Sequence, residues 1–218
     1  MGEIVSLRGV PIELYSDEAL SNHIRREKDF YESHILDFIS SYLTKINLNT
    51  ILDIGANIGN HTLYFHKYLN YNRIMAFEPL PQNFDLLIRN TRRTKIDKEV
   101  SCIPMALTDR AGIFQAHPKW SNMGASFISK DNSPSIPVIG IPLDYLDLYN
   151  VGFIKVDIED WESEFIIGGY KTIDRSKPYI LLEDWNIPTK HWKLLPIGYE
   201  LIKAWETPEH TYLYGYKL

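Results

Sequence analysis

Apolar positions recur along this chain in two rhythms. In residues 21–43, Tyr31, Ile35, Phe38, Ile39 and Tyr42 fall at helical spacing with polar residues between them, which predicts one amphipathic helix. Further on, short apolar runs alternate with longer amphipathic stretches. Residues 52–54, 73–77, 100–105, 153–156 and 179–182 have the length and composition of buried strands. Residues 59–68, 81–94 and 162–167 predict helices between them. Pro81 suits a first helical turn, where its missing N–H is not needed, and Gly168-Gly169 marks a stop. Brief helical pieces are expected at 143–148 and 190–194. Residues 3–14 alternate loosely, as a leading hairpin or strand would. Residues 112–140 are rich in Gly, Pro, Ser and Asn and predict an insertion of short strands and loops. Finally, 199–205 and 211–217 flank Thr207-Pro208-Glu209 as a closing antiparallel pair.

Strands alternating with helices imply a mostly parallel sheet covered on both faces. The expected fold is therefore α/β and Rossmann-like, a seven-stranded mostly parallel sheet with an antiparallel hairpin at one edge. A chain of 218 residues suits one such domain. Residues 1–45 would form an N-terminal extension and lid helix packed on the core, and residues 46–218 the main body. Composition narrows the partners. The net charge of −5 disfavours a nucleic-acid partner, which would be held by neutralising phosphates. Cys102 is the single cysteine, so no intrachain disulfide forms. No apolar run reaches membrane-spanning length, and the first residues lack the regions of a secretion signal, so a cytoplasmic protein without membrane insertion is expected.

The chemistry concentrates where strands are expected to end. In an open α/β sheet, ligands bind beyond the carboxyl ends of the strands at the topological switch point. Asp53, Gly55, Asn57 and Gly59 follow the first of these strands as D-x-G-x-N-x-G. The glycines permit a tight turn and close approach to a ligand, and Asn57 tolerates a left-handed backbone. The G-x-G-x-x-G pyrophosphate fingerprint is absent, which argues against nicotinamide or flavin. Glu78, with Pro79, ends the second strand at the distance expected of a ribose-binding acid. The blander account of Glu78 is a carboxylate at a helix start. Asn83 lies on that helix's first turn, and Ala106 follows the third strand, where a base would pack. The segment 154–164 delivers Asp157 to the same cleft, followed by Glu159, Asp160, Glu162 and Glu164. Either a solvated acidic helix start or a set of catalytic carboxylates fits this density; paired carboxylates also admit a divalent metal, which we do not predict. His61, after Asn60, is expected to touch a cofactor. Trp161 and Trp185 offer flat faces to an acceptor, with Glu183 beside the second, and Tyr31 and Glu32 are lid candidates.

With these residues in place, the chain resembles the FkbM family of S-adenosylmethionine-dependent methyltransferases. The matching stretches are LDIGANIGNHTLYF (52–65), AFEPLPQNFDLLIRN (76–90), ALTD (106–109), SNMGASFI (121–128), IKVDIEDWESEFIIGG (154–169) and PYILLE (178–183). The resemblance implies the class I methyltransferase form of the fold and methyl transfer to a hydroxyl, commonly of a sugar, glycan or related small molecule. It implies S-adenosyl-L-methionine as cofactor, held by Asp53, Gly55, Asn57, Asn60, His61, Glu78, Asn83 and Asp157, with Ser126 approaching from the insertion. Catalysis would fall to Asp157, Glu159 and Glu162, and acceptor binding to Trp161, Glu183 and Trp185. The family usually has glycine where this chain has Asp160, so the local turn is expected to differ. Methylation of a protein or nucleic-acid nitrogen is the alternative, against which the chain lacks an Asn/Asp-Pro-Pro-aromatic signature after the fourth strand. A non-catalytic binding module is the other, against which Asp53, Glu78 and Asp157 are all intact.

Overall fold

The computed structural model describes residues 2–119, 121, 127–129 (backbone only), 135–185, 191–206 and 209–217. The chain opens with a hairpin of β1 (Glu3–Leu7) and β2 (Val10–Leu14), paired antiparallel. The single helix expected over 21–43 is two: α1 (Ala19–Glu27) and α2 (Ser33–Leu43). Lys28 and Glu32 both take left-handed backbone, with φ of 54° and 56°. The break has tertiary causes. Phe30 is fully buried, and the Tyr31 amide donates to Asn60 Oδ1 at 3.1 Å, so the linker is pinned to the start of the helix beneath it. The helical spacing of the later apolar residues belongs to α2 alone.

Seven strands form the main sheet: β3 (Thr50–Ile54), β4 (Arg73–Phe77), β5 (Val100–Ile103), β10 (Val151–Val156), β11 (Tyr179–Glu183), β12 (Tyr199–Trp205) and β13 (Thr211–Tyr216), in the order β12-β13-β11-β10-β3-β4-β5. The pairs from β11 through β5 are parallel, and β13 runs antiparallel to both neighbours. The closing pair is thus present, but its second strand inserts beside β11 and leaves β12 at the edge. This ordering lets Leu213 and Tyr214 be buried from two sides, while the half-exposed Leu201 faces outward on β12. Helices α3 (Asn60–Tyr68) and α4 (Pro81–Arg93) follow β3 and β4; α5 (Glu162–Gly168) and α6 (Tyr170–Ser176) follow β10.

Alternate side chains of each central strand enter different cores, as a period of two requires. Ile51 and Phe153 join the cluster with α2, α3 and α4, whereas Leu52, Ile54, Ile154 and Val156 join the cluster with α5. Fully burying each such side chain contributes about 1.5–3 kcal/mol. The stop expected at Gly168-Gly169 is a kink, since the helix resumes as α6. A Cβ on Gly168 would lie 1.9 Å from the Thr108 carbonyl oxygen, so the glycine is there to let the helix approach that backbone. The brief helix expected at 143–148 is a 3-10 turn at Leu143–Leu146. The insertion builds a separate sheet from β6 (Ala106–Leu107), β7 (Gly112–His117), β8 (Phe127–Ser129) and β9 (Ile136–Ile141), ordered β6-β9-β7-β8. Residues 190, 207 and 208, named in the expected elements above, lie outside the described residues. No helix among the described residues is long and apolar enough to cross a membrane.

Candidate cofactor and acceptor site

The chain leaves β3 toward β4 on one side of the sheet and later returns to β10 on the other, so the switch point lies between β3 and β10. There the turn from Gly55 to Gly59 is folded back sharply. Gly55 has φ +76°, and a Cβ on it would sit 1.9 Å from the Asp157 carbonyl oxygen, which excludes any side chain. Asn57 also takes left-handed backbone, with φ 50°. The amides of Gly55 and Ala56 both donate to the Phe77 carbonyl at 3.0 Å. Glu78, at the end of β4, accepts from the Asn57 amide at 2.8 Å and the Leu80 amide at 2.9 Å. Burial raises its pKa to about 7 even though these amides, and Asn83, favour the charged form. Asn83 is buried and accepts from the Tyr15 hydroxyl at 2.9 Å, which brings the end of the leading hairpin onto the site. Pro79 is half-buried beside them.

Asp53 is fully buried beneath this turn and faces away from open space. It accepts from the Thr62 hydroxyl and lies 3.7 Å from Lys155 Nζ. Lys155 was not among the residues singled out from the sequence. It also donates to the Gly55 carbonyl at 2.9 Å and pairs with Asp157 at 3.2 Å. Its signal was a lone lysine inside the apolar run of a buried strand. Burial opposes its charge, but Asp157 and then Asp53 outweigh that and raise its pKa. Asp157 in turn hydrogen-bonds Glu183. Burial works against its ionisation, yet Lys155 prevails and holds it below the usual carboxylate range. Burial first, then Asp157, pushes Glu183 well upward, so Glu183 carries the proton of the pair.

Above these groups lies a cavity of about 410 Å³, lined among others by Gly55, Asn57, Asn60, His61, Asp157 and Glu159. Two polar atoms there are buried without a hydrogen-bond partner, Asn57 Oδ1 and His61 Nε2. The latter is 3.4 Å from a Glu32 carboxylate oxygen. Ala19, Leu20, His23 and Tyr31 line the cavity from the N-terminal segment, and Glu183 and Trp185 line it from the end of β11. A second cavity of about 660 Å³ shares His23, Tyr31, Glu183 and Trp185 with the first. Trp185 is half-exposed, and its indole N–H donates to Glu183 at 2.9 Å.

The remaining candidates are spread around this centre. Glu159 is half-buried on the cavity, and burial, then Asp157, raises its pKa to about 7. Glu162 is buried at the start of α5, where burial first and Asp157 among the nearby charges raise its pKa to about 8. Glu159 and Asp160 both have left-handed backbone, with φ of 53° and 68°, at the place where the resemblance expects glycine. Trp161 is packed edge-on to Phe114 in a small core with Leu80 and Val138, away from the lining of the first cavity. Ala106 is buried in β6, paired with β9, and it too is outside that lining. Gly59 begins α3 with φ +93°. Ser126 lies outside the described residues. Among the described residues, no group of three or more His, Cys, Asp or Glu side chains could hold a metal ion.

A parallel sheet with one reversed strand inside the edge, and a glycine turn with an acidic partner at its switch point, define a Rossmann-like methyltransferase fold. The comparisons agree. The fold is similar to that of the proposed methyltransferase yhhF of Escherichia coli, with a TM-score of 0.59 and 13% identity over 99% of both chains. It is also similar to methyltransferase FkbM from Methylobacillus flagellatus KT, with a TM-score of 0.55 and 18% identity over 77% of this chain and 43% of that one. At these identities the likeness is one of fold. The chain belongs to the FkbM methyltransferase family, whose methyltransferase FkbM domain matches residues 53–212. Methyltransferase sdnD of Sordaria araneosa is 37% identical over 62 residues, which span 28% of this chain and 24% of that protein. The matched segment is thus about a quarter of the length of that relative.

Proposed function

We propose that this chain is an S-adenosylmethionine-dependent methyltransferase acting on a hydroxyl of a sugar, glycan or related small molecule. The observation that carries the reading is a pair of buried atoms without a hydrogen-bond partner, Asn57 Oδ1 and His61 Nε2, on a cavity at the switch point. Buried polar atoms are normally satisfied, and a ligand with an amine, a carboxylate and hydroxyls would satisfy these. When bound, the cofactor supplies an electrophilic methyl group on a positively charged sulfur.

The chain's own residues then divide the work. Glu78 accepts from two backbone amides and from Asn83, so of the about four acceptor positions of a carboxylate one stays open to a ribose hydroxyl. Pro79 and Asn83 flank it. Gly55, Asn57, Gly59, Asn60 and His61 frame the turn, and Glu32 closes over His61. Asp53 acts from below through Lys155 and Thr62. Asp157 supplies the negative charge suited to a cationic group. Glu159, on the cavity with a pKa near neutrality, is the best placed general base. With the cofactor bound, Glu159 would take the acceptor's hydroxyl proton, and transfer of the methyl group to that oxygen would break its bond to sulfur and leave the cofactor as a neutral thioether. Glu183 and Trp185 flank the second cavity, which supports entry of the acceptor from that side. The single cysteine and the net charge of −5 support a cytoplasmic setting without nucleic acid.

Calorimetry with S-adenosylmethionine tests the reading directly. We expect saturable binding that Glu78→Ala weakens by about tenfold or more, the scale of a lost charged hydrogen bond. Absence of binding to the wild-type chain would overturn it. Incubation with methyl-labelled cofactor and a panel of sugars and glycans is expected to yield label in an alkali-stable ether. Label found only on nitrogen of protein or nucleic acid would replace the hydroxyl acceptor.

A further inference from the structure

Lys155 is the one cation in a strand whose other described side chains are apolar, Val151–Val156, and it is only 4% exposed. An ammonium group has three protons to place. Three oxygen partners surround it: it donates to the Gly55 carbonyl at 2.9 Å and is ion-paired with Asp157 at 3.2 Å and, beyond hydrogen-bonding distance, with Asp53 at 3.7 Å. The first of these matters for the shape of the turn. Glu78 holds the Asn57 amide from β4, and Lys155 holds the Gly55 carbonyl from β10. The turn is therefore clamped from both flanking strands.

The second partner matters for charge. Asp157 hydrogen-bonds Glu183, which also accepts from the indole N–H of Trp185. Two carboxyl groups in such contact cannot both ionise readily and share one proton. The groups facing the pair include Lys155 on β10, Asp53 below on β3, His61 on α3, Tyr31 and Glu32 before α2, Glu159 beyond β10 and Glu162 on α5. Of these only Lys155 is a fixed cation, and it lies on the Asp157 side.

We propose that Lys155 is the positioning residue of this site: it clamps the Gly55 turn and makes Asp157 the anionic member of the Asp157–Glu183 pair. The assignment rests on the reading of the cavity as a cofactor site, so its test has a readout that needs no cofactor. Carbon-13 carboxyl titration of the free, full-length protein follows Asp157 directly, with Asp157→Asn supplying the assignment. In Lys155→Met the Asp157 carboxyl is expected to titrate about one pH unit higher or more. The acid limb of the pH profile for S-adenosylmethionine binding is expected to be displaced upward by the same amount. Lys155→Arg, which keeps the cation, is expected to restore part of both. Should Lys155→Met not fold, the double variant Asp53→Asn/Lys155→Met removes the buried pair together and carries the same expectations. An unchanged Asp157 titration overturns the proposal. So does a loss of affinity with no change in pH profile, which is the mark of a merely structural lysine. If the wild-type chain binds no S-adenosylmethionine, the functional reading falls while the titration still decides the role of Lys155.

Discussion

Glu78 engages both carboxylate oxygens with backbone amides, yet burial still raises its pKa to about 7. A ribose hydroxyl donating to it would favour the ionised form and lower that pKa. Cofactor binding near pH 6.5 is therefore expected to release protons. Calorimetry in buffers of different ionisation enthalpy measures this, and Glu78→Gln is expected to abolish the release. Asp160 tests a different kind of constraint. Its φ of 68° places a non-glycine residue in left-handed backbone beside Glu159, also left-handed. Such a conformation costs roughly 1–2 kcal/mol, partly offset in a glycine variant by the greater freedom of the unfolded chain. Asp160→Gly is expected to stabilise the protein by up to about 1 kcal/mol in urea unfolding. Asp160 was legible from the resemblance as a departure; that its backbone is left-handed was not, because φ follows from how β10 and α5 are joined in space. Lys155 shows the opposite limit. A lone lysine in an apolar strand was visible, but its partners Asp53 and Gly55 come from β3 and the turn after it, whose register against β10 only pairing establishes.

At the scale of elements, one buried side-chain amide ties the leading hairpin to α4. Asn90 on α4 accepts from the Glu13 amide at 2.7 Å and donates to the Glu13 and Ile58 carbonyls at 3.1 and 2.8 Å. Asn90→Ala leaves three backbone groups without partners and is expected to destabilise the fold by about 2–4 kcal/mol. Because Tyr15 reaches Asn83 from the same hairpin, cofactor affinity should fall as well, and limited proteolysis should cut near residue 15 sooner. The strands, the helices after β3 and β4, and the closing pair were legible because each carries its own period. The break between α1 and α2 was not. Nothing in the local pattern of 28–32 competes with a helix; the bonds to Asn60 and the burial of Phe30 do. The continuation of α5 into α6 was hidden for a related reason. Glycines that ordinarily end a helix here admit the Thr108 carbonyl.

Across the whole molecule, the titrating groups pull in two directions. Glu78, Glu159 and Glu162 have pKa values raised to about 7, 7 and 8. A raised carboxyl pKa means that the folded state holds the proton more tightly, so that contribution is present below about pH 4.5 and is lost as pH rises through about 7 to 8. Glu13 and Asp37 are lowered: burial opposes ionisation of Glu13, where Arg93 and Arg89 prevail, while hydrogen bonding to Arg8 leads for Asp37. Their contribution is present above the usual carboxylate range and is lost on acidification. Stability is therefore expected to peak near the usual carboxylate range, at about pH 4–5, and to decline as pH rises to about 8, and Glu162→Gln should flatten that decline in denaturation measured across pH.

By itself, the sequence determined the α/β class, the strand ends that carry chemistry, and the positions of Gly55, Glu78 and Asp157, because periodicity and turn chemistry are local properties. Tertiary structure decided what those residues do together. It placed Asp53 beneath the turn, turned Trp161 and Ala106 into packed cores, and set Glu183 against Asp157. It also made Lys155 the centre of the charges. Those outcomes depend on strand order, register and burial, which arise only when distant segments pack and exclude water.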